Sequence, residues 1–83
     1  MARVVLYTRP GCHLCEVARA VVETVTAQAG EAHREVDVRS DPELLAEHGA
    51  RLPVVEVDGR EVAHFRVDPD RLRAALAAPP RGT

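Results

Sequence analysis

The apolar pattern changes period between Thr8 and Leu14, and the change falls on a Pro-Gly turn with the two cysteines of the chain, Cys12 and Cys15, just after it. Val4-Val5-Leu6-Tyr7-Thr8 is a continuous β-branched and aromatic run, closed by Arg9-Pro10-Gly11. Such a run reads as a buried strand ending in a loop. Beyond it, Leu14, Val17, Ala18, Val21, Val22 and Val25 recur at helical spacing, with Glu16, Arg19 and Glu23 on the other face. That pattern predicts an amphipathic helix with Gly30 as its stop. Cys12-His13-Leu14-Cys15 therefore sits where a strand hands over to a helix.

That position has chemical consequences. A helix N-terminus offers unpaired backbone N–H groups and the positive end of the helix dipole. A thiolate at Cys12 is stabilised there relative to a free thiol, whose pKa is about 8.5. Arg9, and His13 when protonated, add positive charge nearby. Cys15 lies one turn further on and can attack a mixed disulfide formed on Cys12. Three plainer readings compete. A zinc half-site needs two more ligands, and His33, His48 and His64 are widely spaced with no second close pair, so no metal is expected. A purely structural disulfide would close too small a loop to stabilise much. Two inert core thiols are the third, and the strand-end position speaks against them. A Cys-x-x-Cys beside a βαβ pattern is a specific redox signal.

The rest of the chain continues the pattern. His33 to Val38 alternates as a second strand, with Val36 and Val38 on one face. Asp41-Pro42-Glu43 is a cap, a first-turn proline and a dipole-matched acid, which starts a short helix through Leu44, Leu45 and His48 to Gly49. Pro53-Val54-Val55-Glu56-Val57, Asp58-Gly59 and Arg60 to Phe65 make a hairpin, because Asp-Gly suits a two-residue turn with φ > 0 at both positions. Asp68-Pro69 repeats the cap, ahead of Leu72, Ala75 and Leu76, and residues 79–83 form a tail. The order β-α-β-α-β-β-α gives one parallel, right-handed crossover and one antiparallel hairpin, hence a mixed four-stranded sheet with helices on both faces. Pro53 opens its strand, where a proline is tolerated; a cis bond there would present the Leu52 backbone beside the cysteines, while an ordinary trans proline is the alternative.

Composition limits the function classes. Eighty-three residues with 46% apolar and 29% charged content form one small folded unit. All eleven basic residues are Arg, interspersed with thirteen acidic ones for a net charge of −2. No clustered basic footprint for nucleic acid exists. No stretch reaches the roughly 20 apolar residues of a membrane span. The N-terminal run is too short for a secretory h-region, so a cytoplasmic monomer is expected.

Tyr7-Thr8-Arg9-Pro10-Gly11-Cys12-His13-Leu14-Cys15, Arg51-Leu52-Pro53-Val54 and the element order resemble the glutaredoxin branch of the thioredoxin fold, from about residue 3 to about residue 77. The resemblance implies a thioredoxin-like α/β domain over residues 1–78, with its first strand central beside the Pro53 strand. It implies Cys12 as nucleophile, Cys15 as resolving thiol, a redox-active Cys12–Cys15 disulfide and a cis Pro53. It implies a thiol–disulfide oxidoreductase that acts in electron transport and cell redox homeostasis on a protein or small-molecule disulfide. Arg9 falls where many glutaredoxins carry a basic residue that pairs with a glutathione carboxylate, a role an Arg fork suits, or is a solvated loop charge. Asp68 falls near the region that meets the γ-glutamyl end, or is a plain helix cap. The family's Gly-Gly pair is replaced here by Ala63-His64-Phe65-Arg66. That stretch is partly similar to the Gly-Phe-Arg-Pro of small redoxins reduced by thioredoxin reductase. Glutathione and thioredoxin reductase are thus the two candidate reductants, with no bound cofactor. Arg51 either lines the groove opposite the cysteines or is a solvated charge. An apolar patch around Gly11, His13, Leu14, Leu52 and Pro53 is the expected docking surface. A different class of function, a metal- or cluster-binding or regulatory module in which two subunits share Cys12 and Cys15, is the remaining alternative.

Overall fold

A computed structural model of the chain describes residues 2–79. Its elements are β1 (Val4–Thr8), α1 (His13–Ala29), β2 (His33–Asp37), a 3₁₀ turn (Val38–Ser40), α2 (Pro42–His48), β3 (Val54–Val57), β4 (Arg60–His64) and α3 (Pro69–Ala77). Of the expected tail 79–83, all but Pro79 lies outside the described residues. The sheet runs β2-β1-β3-β4, with β1 parallel to β2 and antiparallel to β3, and β3 antiparallel to β4. β1 is therefore an inner strand with β3 beside it.

Alternation along β1 divides the interior. Val4, Leu6 and Thr8 are buried. Val4 and Leu6 join Val55 and Val57 of the sheet, Ala18, Val22 and Val25 of α1, and Leu72 and Leu76 of α3 in the larger core. Tyr7 points to the opposite face, where the His48 ring of α2 stacks on it at 4.3 Å. A smaller cluster of Cys15, Val38, Leu52 and Val54, flanked by Tyr7, Cys12 and Leu44, closes the end of the sheet that carries the cysteines. Aliphatic side chains thus fill the core almost alone: the chain has one Tyr and one Phe, and the Phe is exposed.

The local starts and stops follow from side-chain chemistry. Asp41 and Asp68 accept the N–H groups of Glu43 and Asp70, each at 2.9 Å, and cap α2 and α3. The hairpin turn has φ of 53° at Asp58 and 81° at Gly59, the pair of positive values that a tight two-residue turn needs. Gly49 ends α2 for a different reason from the left-handed cap usual at that place. Its φ is −56°, and a Cβ there would lie 2.5 Å from the Leu45 carbonyl oxygen.

Three expectations are corrected. The buried stripe of α1 is Cys15, Ala18, Val22, Val25 and Thr26, rotated from the apolar stripe read off the sequence, and Val17 is exposed. Thr26 can join it because its hydroxyl donates to the Val22 carbonyl at 2.7 Å, which satisfies the polar group inside its own helix. β2 ends at Asp37 rather than Val38, because the Asp37 carboxylate accepts the Arg39 N–H at 2.9 Å and turns the chain into the 3₁₀ turn. β4 ends at His64, and Phe65 leaves the strand with φ of 61°.

Candidate active site

The reactive pair is assembled at the junction of β1 and α1. Thr8 ends the strand, Gly11 takes φ of 74° in the turn, and Cys12 returns to an extended conformation as the N-cap of α1. Its Sγ accepts the backbone N–H of Cys15 at 3.1 Å, so sulfur fills the role an Asp or Ser oxygen takes in other caps. Cys12 and Cys15 form a disulfide, with Cα atoms 5.2 Å apart. The two sulfurs differ in access. Cys12 is partly exposed, whereas Cys15 is 1% exposed.

The Leu52–Pro53 peptide is cis. Leu52 packs in the small cluster with Cys15, and its backbone makes no hydrogen bond with another described residue. An open groove of about 390 Å³ runs past Cys12, walled by His13, Leu14, Ala50, Leu52 and Phe65, with Arg9 at its margin. A hollow of about 350 Å³ between the hairpin and α3 includes Arg60, Glu61, Arg71 and Ala75 and holds neither cysteine.

The remaining sequence-selected residues divide. Arg9 and His13 stand at the groove, and His13 is largely solvated with Nδ1 3.8 Å from Glu16. Arg51 is not among the residues that line the groove, and 40% of its side chain is exposed. Its guanidinium turns away from the groove to Glu61 at 2.6 and 2.8 Å, tying the loop after α2 to β4. Asp68 caps α3 and lines a separate hollow with His64, Arg66 and Arg71. Phe65 was not selected from sequence, yet it forms part of the groove wall. A β-bulge between Val55 and Glu56 shifts the hairpin register, so that Phe65, not His64, bonds to the Pro53 carbonyl, at 2.9 Å.

Charge around the site is organised by pairs. Glu35 lies under the Arg9-Pro10 turn, where it accepts from the Thr8 hydroxyl at 2.9 Å and from Arg19 at 2.7 and 2.8 Å. The Arg19 hydrogen bond holds the Glu35 carboxyl below its ordinary range, against the opposing effect of burial and with help from Thr8. On the other face, Tyr7 donates to Glu56 at 3.2 Å. Burial, then the Glu56 charge, push its phenol up. The one grouping among the described residues with metal-ligand geometry is Glu47, His48 and Glu56; it includes neither cysteine.

A mixed four-stranded sheet, three helices and a Cys-x-x-Cys pair capping the first helix define a thioredoxin-like protein of redox type. The chain belongs to the glutaredoxin-like family, matching the Glutaredoxin-like domain (DUF836) over residues 3–77. It is 39% identical over 80 residues to the uncharacterized protein Rv0508 of Mycobacterium tuberculosis, covering 90% of this chain and 82% of that one. Among solved structures it is similar to XcR50 from X. campestris, with a TM-score of 0.73 and 37% identity over 92% of this chain and 99% of the other. The glutaredoxin of Archaeoglobus fulgidus shares the fold at a TM-score of 0.63 and 15% identity, covering 94% of this chain and 89% of that one. Fold, family and paired cysteines together support a redox-type role.

Proposed function

We propose that the chain is a thiol–disulfide oxidoreductase with a dithiol mechanism. The observation that carries this reading is the asymmetry of the pair: one sulfur at a helix N-terminus and open to a groove, its partner buried one turn behind it. In the reduced protein the Cys12 thiolate attacks one sulfur of a substrate disulfide. A mixed disulfide forms and the other substrate sulfur leaves as a thiolate. Cys15 then loses its proton and attacks the Cys12 sulfur, which releases the second substrate thiol and closes the Cys12–Cys15 disulfide. Two electrons pass from the protein to the substrate. The Cys15 N–H that meets Sγ in the oxidised protein is placed to stabilise the attacking thiolate. In this reading the Leu52 backbone pairs with an extended substrate, and Arg9 meets an anionic group on it.

The first test is a trap. Cys15→Ser protein mixed with a disulfide substrate accumulates a mixed disulfide at Cys12, detected by mass spectrometry, and Cys12→Ser protein accumulates none. A trap on Cys15 instead, or none on either, rejects the mechanism. Electrons for the next cycle come from glutathione or from thioredoxin reductase. NADPH-coupled assays with each reductant separate the two, and no resident cofactor is required by either.

A further inference from the structure

Phe65 combines three properties. Its backbone is at φ 61°, a region that is a genuine outlier for a bulky side chain. The Arg66 N–H donates to the His64 carbonyl at 2.8 Å, so Phe65 is the centre of a three-residue turn of the strained, positive-φ kind. Glycine would occupy that position without steric penalty. Phe65 is 46% exposed, and its ring meets that of His64 edge to face at 4.9 Å. It also walls the groove that opens on Cys12. An exposed apolar residue alone is ordinary. A strained backbone that holds a half-bare ring beside the nucleophile points to a task for the ring.

We infer that Phe65 determines specificity by holding an apolar side chain next to the cysteine under attack, and that the occupant of this groove is an extended polypeptide. The inference rests on the thiol–disulfide exchange reading and names its substrate class. Charge complementarity selects the occupant. Leu14, Ala50, Leu52 and Phe65 offer apolar walls, and Arg9 is the sole Arg, Lys, Asp or Glu lining the groove. The groove therefore suits a segment that is apolar at its centre and neutral or acidic toward Arg9. A small, multiply charged thiol peptide finds one charged side chain here, Arg9, and mostly apolar walls. At the N-terminus of α3 the Asp68 carboxylate accepts the Asp70 N–H and sets a negative charge where an anion would sit.

The test uses the full chain, reduced beforehand, in single turnovers with three probes: a disulfide-linked peptide dimer whose cysteines are flanked by Leu, the same dimer with Gly flanks, and bis(2-hydroxyethyl) disulfide as reference. Acid-quenched thiol products give the rate constants. The wild type favours the Leu-flanked dimer over the Gly-flanked one by roughly ten-fold, the scale of one apolar contact in a pocket. In Phe65→Gly that ratio falls to near unity, while the thermal midpoint rises because the turn loses its strain. Phe65→Leu restores part of the ratio. The inference is overturned if Phe65→Gly keeps the wild-type ratio, or if it slows all three probes equally. Wild-type protein that reduces none of the probes rejects the exchange reading itself, a different outcome from an unchanged ratio.

Discussion

Cys12 and Cys15 are three positions apart, yet the fold treats them oppositely. One sulfur is held at the helix start, where it accepts the N–H of the other residue; the other is packed among Val38, Leu52 and Val54. Reactivity should follow. In Cys15→Ser protein the iodoacetamide reaction of Cys12 should inflect below the ordinary thiol value of about 8.5. In Cys12→Ser protein Cys15 should stay unreactive until the chain unfolds. An inflection at or above the ordinary value would remove the helix terminus as the activating element. At this scale the paired cysteines and the aspartate caps were legible in the sequence, because each acts within three residues of itself. Phe65 was not, since an aromatic residue at positive φ contradicts local propensity and owes its place to a register shift within the hairpin, where Val62 of its own strand is the extra residue. The pairing of Arg51 with Glu61 was not legible either, because the hairpin is what brings Glu61 close.

Elements dock through a few polar pairs around an aliphatic interior. α1 is pinned to β2 near the site by Arg19 and Glu35, and Glu35 also takes the Thr8 hydroxyl at the end of β1. The folded protein holds the Glu35 carboxyl below its ordinary 4.5. Its contribution to stability is therefore complete above the unfolded value and is lost as pH falls through the lowered folded one. Denaturant titrations should show wild type more stable than Glu35→Gln at neutral pH, with the gap closing in that acidic window. The pair is partly solvated, so the gap is small and shrinks with added salt. An equal gap at every pH would exclude ionisation of Glu35 as its source. The helices and strands themselves were legible from period and caps. The rotation of α1 was not, because Thr26 reads as polar although its hydroxyl is satisfied within the helix, and Val17 reads as core although it is left exposed.

Across the whole molecule, Arg3 joins what sequence distance separates. Its guanidinium bonds to Asp58 in the hairpin turn, to Glu31 before β2, and to the carbonyls of Leu76 and Ala78 at the end of α3. The Asp58 and Glu31 hydrogen bonds raise its pKa further above the usual arginine range, and Arg3 in turn lowers that of Asp58. Arg3→Met should lower the thermal midpoint by more than Arg39→Met, whose arginine serves only Asp37 two residues away. Equal shifts in circular-dichroism melts would reduce Arg3 to an ordinary surface charge. The element order was readable from one end of the chain to the other, but this hub was not, since its partners lie 28 and 55 positions away. The two rims of the sheet carry a related consequence. β2 presents Arg34, Glu35 and Asp37, and β4 presents Arg60, Glu61 and His64. Charged rims of this kind discourage the fibrillar stacking of one chain on another. Under the exchange reading proposed above, a client that pairs through its main chain would meet the Leu52 backbone beside the sulfurs, where no charged rim turns it away.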